Sequence, residues 1–300
     1  MLFFKKKTVT EEKPAEGTEP AAEETKETPV LSAAPEPAPE RAETVAAGAS
    51  FAAEKDRSQL AEILGVTDAE LKSEFILTKI RKLTAKIEYV FLKPDATERE
   101  LSSVAEEMKK YGFGKLCVLP SQVGFVKKRL PENVTVTTVV GYPFGPDSFS
   151  SALAAVRDLV KAGAGEIGYV PDVFRLKNGD LYDFRRRLIK LCGASKKRLR
   201  IVLEPARLDQ KVLKKLAGAI DRAPLKGVSL SSGYFPAEAS SQLAAYKNDA
   251  KGNFSVTVYT ERGTAEELTR LFAAGADMIA TDKAAAIALE LAAVNSATFD

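Results

Sequence analysis

The sequence predicts a (β/α)8 barrel, an α/β TIM barrel, preceded by a disordered acidic tail rich in Pro, Ala and Glu. Three observations point there. Short β-rich runs alternate eight times with helical patterns, the units recur at roughly 25 residues, and no glycine-rich dinucleotide turn follows the first strand. An open doubly wound sheet is the competing architecture, and the missing turn weakens it.

The elements follow in chain order. Residues 1–57 are dominated by Glu, Pro, Ala and Thr, with few aromatics and no sustained period. Such a stretch buries too little apolar surface to offset chain entropy, so it reads as a disordered tail ahead of a barrel domain over 58–300. Eight basic against twelve acidic residues leave the tail at −4, and the whole chain at +3 leaves the remainder at +7. Leu60, Ile63, Leu64, Leu71, Phe75, Ile76, Ile80 and Leu83 then recur at helical steps and predict an amphipathic lead-in. Strands are expected at 86–92, 115–120, 134–141, 165–171, 198–204, 227–232, 254–259 and 276–281, with helical patterns between them.

Composition narrows the function classes. Hydrophobic residues make up 45% and charged residues 28% of the 300, an ordinary soluble balance, and no apolar run reaches the ~18 residues of a membrane span. The opening Phe3, Phe4 and Lys5 to Lys7 are too few for stable membrane insertion and lack the order of a secretory signal. Cys117 and Cys192 read as reduced residues of a cytoplasmic protein. The chain has no histidine, so the commonest general base and metal ligand is missing, and no cysteine or carboxylate cluster has zinc spacing. No metal or cofactor is expected.

Seven segments carry a resemblance. "FLKPDAT" (91–97), "CVLPSQV" (117–123), "TVVGYPFG" (138–145), "AGAGEIGYV" (162–170), "VLEPARL" (202–208), "SSGYF" (231–235) and "AAGADMIATD" (273–282) fall in the order and spacing seen in deoxyribose-phosphate aldolases. The chain resembles that family over about residues 67 to 292. The resemblance implies a class I aldolase barrel, whose members cleave 2-deoxyribose 5-phosphate to glyceraldehyde 3-phosphate and acetaldehyde through a Schiff base.

Carried over position by position, the same resemblance implies that the machinery is missing. The family's sixth strand reads V-K-T-S-T-G-F with the Schiff-base lysine, and here that position is Ser229. The seventh strand's second lysine corresponds to Thr257, and the fourth strand's aspartate to Gly168. In the first strand Glu88, Tyr89 and Val90 replace an Asp-His-Thr run while Lys93 is kept. A hydroxyl cannot form an imine, which needs an amine activated by desolvation or a neighbouring cation. The phosphate glycines become Thr260 and Glu261, and the turn after the last strand reads "ATDKA" with Asp282 and Lys283. Like-charge contacts of Glu261 and Asp282 with a phosphate at ~4 Å would each cost about 1–4 kcal/mol.

The expectation is therefore a pseudoenzyme, a lyase-related barrel with a binding, scaffolding or regulatory role. The alternative is an enzyme of the same fold with a rebuilt pocket. Candidate pocket residues are Glu88, Lys93, Glu204, Ser231, Ser232, Gly233 and Lys283. Glu204 is read chiefly as a structural acceptor, Lys93 as a loop anchor and Lys283 as a rim lysine; without histidine only a lysine or a carboxylate could activate the serines. Asp172 reads as an ordinary rim carboxylate and Glu166 as a structural ion-pair partner. The basic runs at 127–130, 185–190 and 196–200 read as solvated faces, so no nucleic acid is expected. Expected partners are a small polar metabolite, a second copy of the chain in a homo-oligomer, and a protein partner for the tail.

Overall fold

The computed structural model describes residue 67 and residues 74–299 apart from 236 and 253. The tail over 1–57 and most of the helical lead-in lie outside the described residues; the lead-in's last part is helix α1, Glu74–Thr84.

Eight parallel strands close into a barrel in the order β1 to β8. They are β1 Ile87–Phe91, β2 Lys115–Val118, β3 Thr135–Val140, β4 Glu166–Tyr169, β5 Leu199–Leu203, β6 Gly227–Leu230, β7 Ser255–Tyr259 and β8 Met278–Thr281. Each falls within a run the sequence marks as a strand, and β1 pairs with β8 to close the ring. The helices that follow are α2 Glu98–Tyr111, α3 Val123–Lys127, α4 Phe149–Ala162, α5 Val173–Lys177, α6 Leu181–Ala194, α7 Gln210–Ile220, α8 Ala239–Asp249, α9 Ala265–Ala273 and α10 Ala284–Phe299.

Alternation explains how the barrel is filled. Along a strand successive side chains face opposite ways. Ile87 and Tyr89, Leu116 and Val118, Ile167, Leu199 and Ile201, Val228 and Leu230, Val256 and Val258, and Ile279 all pack in the main hydrophobic core. These are the outward positions, covered by helices. The registers link the alternate set around the ring: Glu88 with Lys115, Cys117 with Thr137, Thr137 with Glu166, Gly168 with Arg200, Val202 with Ser229, and Ser229 with Thr257. The inward set is largely polar, whereas branched aliphatics usually fill such a barrel.

The helices begin and end where their sequences say they should. Thr97 caps α2 in a capping box with Glu100, and Gly112 ends it in the left-handed conformation at φ 72°. Leu101, Val104, Ala105 and Met108 form its buried stripe. Ser148 and Thr264 cap α4 and α9 by accepting from the Ser151 and Glu267 N–H groups.

Candidate functional site at the strand ends and barrel interior

Ser229 and Thr257 are register partners on β6 and β7 and are buried at 4% and 2% exposure. Gly168 is the partner of Arg200 across β4 and β5. A Cβ at Gly168 would stand 3.1 Å from Val202 Cγ2 and 3.6 Å from Arg200 Nε. The interior at this level is therefore shaped by Arg200.

Arg200 is the largest departure from expectation. The run 196–200 reads as a solvated face, yet Arg200 is 4% exposed and points across the barrel to the fully buried Glu88. Its Nη1 donates to Glu88 Oε2 at 2.5 Å and its Nη2 to Glu88 Oε1, while Thr137 Oγ1 donates to Oε1 at 2.5 Å. The correction has a simple cause: inside a strand, alternation decides the direction of a side chain, whatever its charge. Burial pushes the Glu88 carboxyl up, but the charge and hydrogen bonds of Arg200, with Lys115 and Thr137, hold it below the ordinary value. Arg200 Nε has no hydrogen-bond partner.

Glu166 and Lys115 form a second pair, with Lys115 Nζ donating to both carboxylate oxygens at 2.8 Å. Glu166 is thus an ion-pair partner. Cys117 lies beside these charges, and burial pushes its thiol up to about 12. Cys117 and Cys192 are both free and buried.

At the carboxyl ends of the strands, β6 runs into Ser231 and Gly233, both at positive φ (67° and 81°). The serine oxygens accept from this turn: Gly233 N donates to Ser231 Oγ at 3.1 Å and Tyr234 N to Ser232 Oγ at 3.3 Å. Glu204, after β5, accepts from Ser232 N through Oε1 at 2.6 Å, and its Oε2 has no partner. Burial pushes its carboxyl up, against the pull of bonds from Ser232 and Ser231. Glu204 is thereby a structural acceptor with one oxygen to spare.

The rim charges do not form a cradle. Lys93 Nζ bonds Glu100 at 2.6 Å, and its carbonyl accepts from Gln122, which anchors the loop after β1. Lys283 Nζ donates to the Glu261 carbonyl at 2.5 Å. Glu88, Lys93, Glu204 and Lys283 thus each hold a different partner. Asp172 accepts from Arg175 N at 3.2 Å and caps α5.

An aromatic rim was not singled out from the sequence. Phe144, after β3, meets Tyr234, after β6, edge-on at 4.7 Å, and Tyr234 meets Phe235 at 5.2 Å. Phe144 and Tyr234 are 47% and 55% exposed. The Tyr259 ring lies so close to Gly233 that a Cβ there would stand 2.6 Å from it. The signal was present: aromatic residues in "GYPFG" and "GYF", both just past strands. Among the described residues no group of three or more His, Cys, Asp or Glu side chains could hold a metal ion.

No family model matches the chain. Deoxyribose-phosphate aldolase of Thermoanaerobacter pseudethanolicus is 30% identical over 211 residues, 68% of this chain and 94% of the relative. That of Treponema denticola is 30% identical over 157 residues, 51% of this chain and 73% of the relative. Among solved structures, the tetrameric deoxyribose phosphate aldolase from Aeropyrum pernix has a TM-score of 0.63 at 21% identity, covering 74% of this chain and 97% of that one. The aldolase QR15 has a TM-score of 0.65 at 22% identity, covering 69% and 94%. The structures share the fold, and the Thermoanaerobacter relative is matched over nearly its whole length. The chain belongs to the deoxyribose-phosphate aldolase family.

Proposed function

We propose that this protein keeps the family barrel without the family reaction and binds a small polar ligand non-covalently at the strand carboxyl ends. The observation that carries the reading is the Ser229–Thr257 register pair, two buried hydroxyls at the positions the family pattern gives to lysines. No imine can form at either. Among the described residues the one lysine on the inward face of a strand is Lys115, which begins β2, and both oxygens of Glu166 engage its amine. Gly168 adds no acid for proton transfer.

The rim favours a ligand without phosphate. Glu261 and Asp282 stand where the family pattern has backbone donors, and the Lys283 amine is turned onto a carbonyl. The Phe144–Tyr234–Phe235 rings offer an apolar edge instead. The buried thiols suit a cytoplasmic protein, and the described residues contain no helix long and apolar enough to cross a membrane. The tetrameric relative supports a homo-oligomer, which light scattering would measure.

A coupled assay for acetaldehyde release from 2-deoxyribose 5-phosphate, run beside a family enzyme, tests the reading. Background turnover is expected, and turnover near the family enzyme's rate defeats it. A second reading, an enzyme with a rebuilt pocket, is favoured by the raised and half-unpartnered carboxyl of Glu204. It requires an activity that Glu204→Gln abolishes while leaving the fold intact.

A further inference from the structure

The barrel has a second opening, at the amino ends of its strands. A cavity of about 290 Å³ lies there, walled by Lys115, Glu166, Arg200, Lys226, Ser255 and Thr257. Lys115, Glu166 and Ser255 begin β2, β4 and β7, and Lys226 immediately precedes β6. One wall is held bare by Gly227, where a Cβ would meet the Ser255 carbonyl at 2.7 Å. Thr257 leaves further room, since a longer side chain in the middle of β7 would reach into the same interior.

The electrostatics of these walls are one-sided. Lys115 is paired with Glu166, and Arg200 with Glu88 behind the wall. Lys226 completes the set, and among the described residues it has no ion-pair partner. The cluster of five charges thus carries one net positive charge. It also holds donors in excess: the Lys226 ammonium and the Ser255 and Thr257 hydroxyls. Glu166 is the opposing charge, and its oxygens are already engaged by Lys115.

We infer that this floor cavity binds a small oxyanion, a phosphate or carboxylate group, seated on Lys226 with the hydroxyls of Ser255 and Thr257. The volume is ample for a phosphate or carboxylate group. The site is at the opposite end of the barrel from the ligand proposed above and stands or falls without it.

The test is titration of the full chain with inorganic phosphate at fixed ionic strength. Amide NMR shifts locate the response, and acetate is run in parallel. Saturable binding that shifts the Gly227 and Ser255 amides is expected. Lys226→Ala should weaken it about tenfold and Lys226→Glu should abolish it. Lys226 is exposed, so neither change threatens the fold, and circular dichroism checks this. Lys283→Ala, at the other end, should leave binding unchanged. Saturation by acetate with the same dependence on Lys226 supports the carboxylate form. No saturable binding of either anion, binding that survives Lys226→Glu, or binding lost in Lys283→Ala would overturn the inference.

Discussion

Ser229 and Thr257 face one another across β6 and β7, buried in the barrel interior, with Val202 as the other register neighbour of Ser229. Class I aldolase chemistry needs an amine at one of these positions and a cation beside it to keep that amine nucleophilic. Here the pair offers only hydroxyls. The fixed charge of the interior lies instead in the Glu88–Arg200 and Lys115–Glu166 pairs.

Arg200→Met should be strongly destabilising, by about 3–5 kcal/mol, because it leaves Glu88 buried and uncompensated. Urea unfolding measures this. In the parent, Glu88 is held below its ordinary value of 4.5, so its contribution is present above that pH and lost as pH falls through the folded value. In Arg200→Met burial, the largest influence, is opposed only by Lys115 and Thr137, so the sign reverses and acidification should narrow the gap between variant and parent. Adding Glu88→Leu should recover much of the loss.

Glu204 gives the opposite pH dependence. Its carboxyl is raised by burial, so its protonated form is favoured in the fold. Its stabilising effect is full at low pH and is lost as pH rises through the raised value. Glu204→Gln should flatten that part of the stability–pH curve at little cost. Glu204→Ala strands the Ser232 N–H and should cost about 1–3 kcal/mol in chemical denaturation.

Gly233→Ala tests the turn that carries the aromatic rim. The position has φ 81°, and a Cβ would press on the Tyr259 ring at 2.6 Å. A loss of about 1–3 kcal/mol is expected. Adding Tyr259→Ser removes the ring and should leave only the smaller backbone cost, so the two changes should couple in a double-mutant cycle.

Ser229→Lys probes the assignment of the imine position. A lysine introduced at this buried site is desolvated, which favours its neutral form. It should trap acetaldehyde under borohydride at residue 229. Turnover should remain about a thousandfold or more below a family enzyme, because Thr257 and Gly168 still lack their partners. Adding Thr257→Lys should raise the trapping rate at neutral pH. A stoichiometric adduct at another lysine, absent from the parent protein under the same conditions, would show that position 229 is misassigned.

The barrel was legible because its outward positions are apolar at every second residue while the helices carry ordinary caps. Val228 and Leu230, or Val256 and Val258, mark a strand whatever lies between them. The inward residues were harder to read. Arg200 sits in a basic run that suggests solvent, and only the closed ring brings it opposite Glu88, 112 residues away in the chain. The floor cavity was equally hidden, since Lys115, Lys226 and Ser255 share nothing in sequence except their place at strand beginnings. Ser231 and Ser232 read as candidates for chemistry, and the turn and Glu204 engage both.

The central claim is most directly tested by borohydride trapping on the unaltered protein. The chain is incubated with 2-deoxyribose 5-phosphate, reduced, and read by intact mass and peptide map beside a family enzyme that traps. No adduct is predicted. A stoichiometric adduct on any lysine would contradict the account, and the peptide map would name the amine that sustains the chemistry.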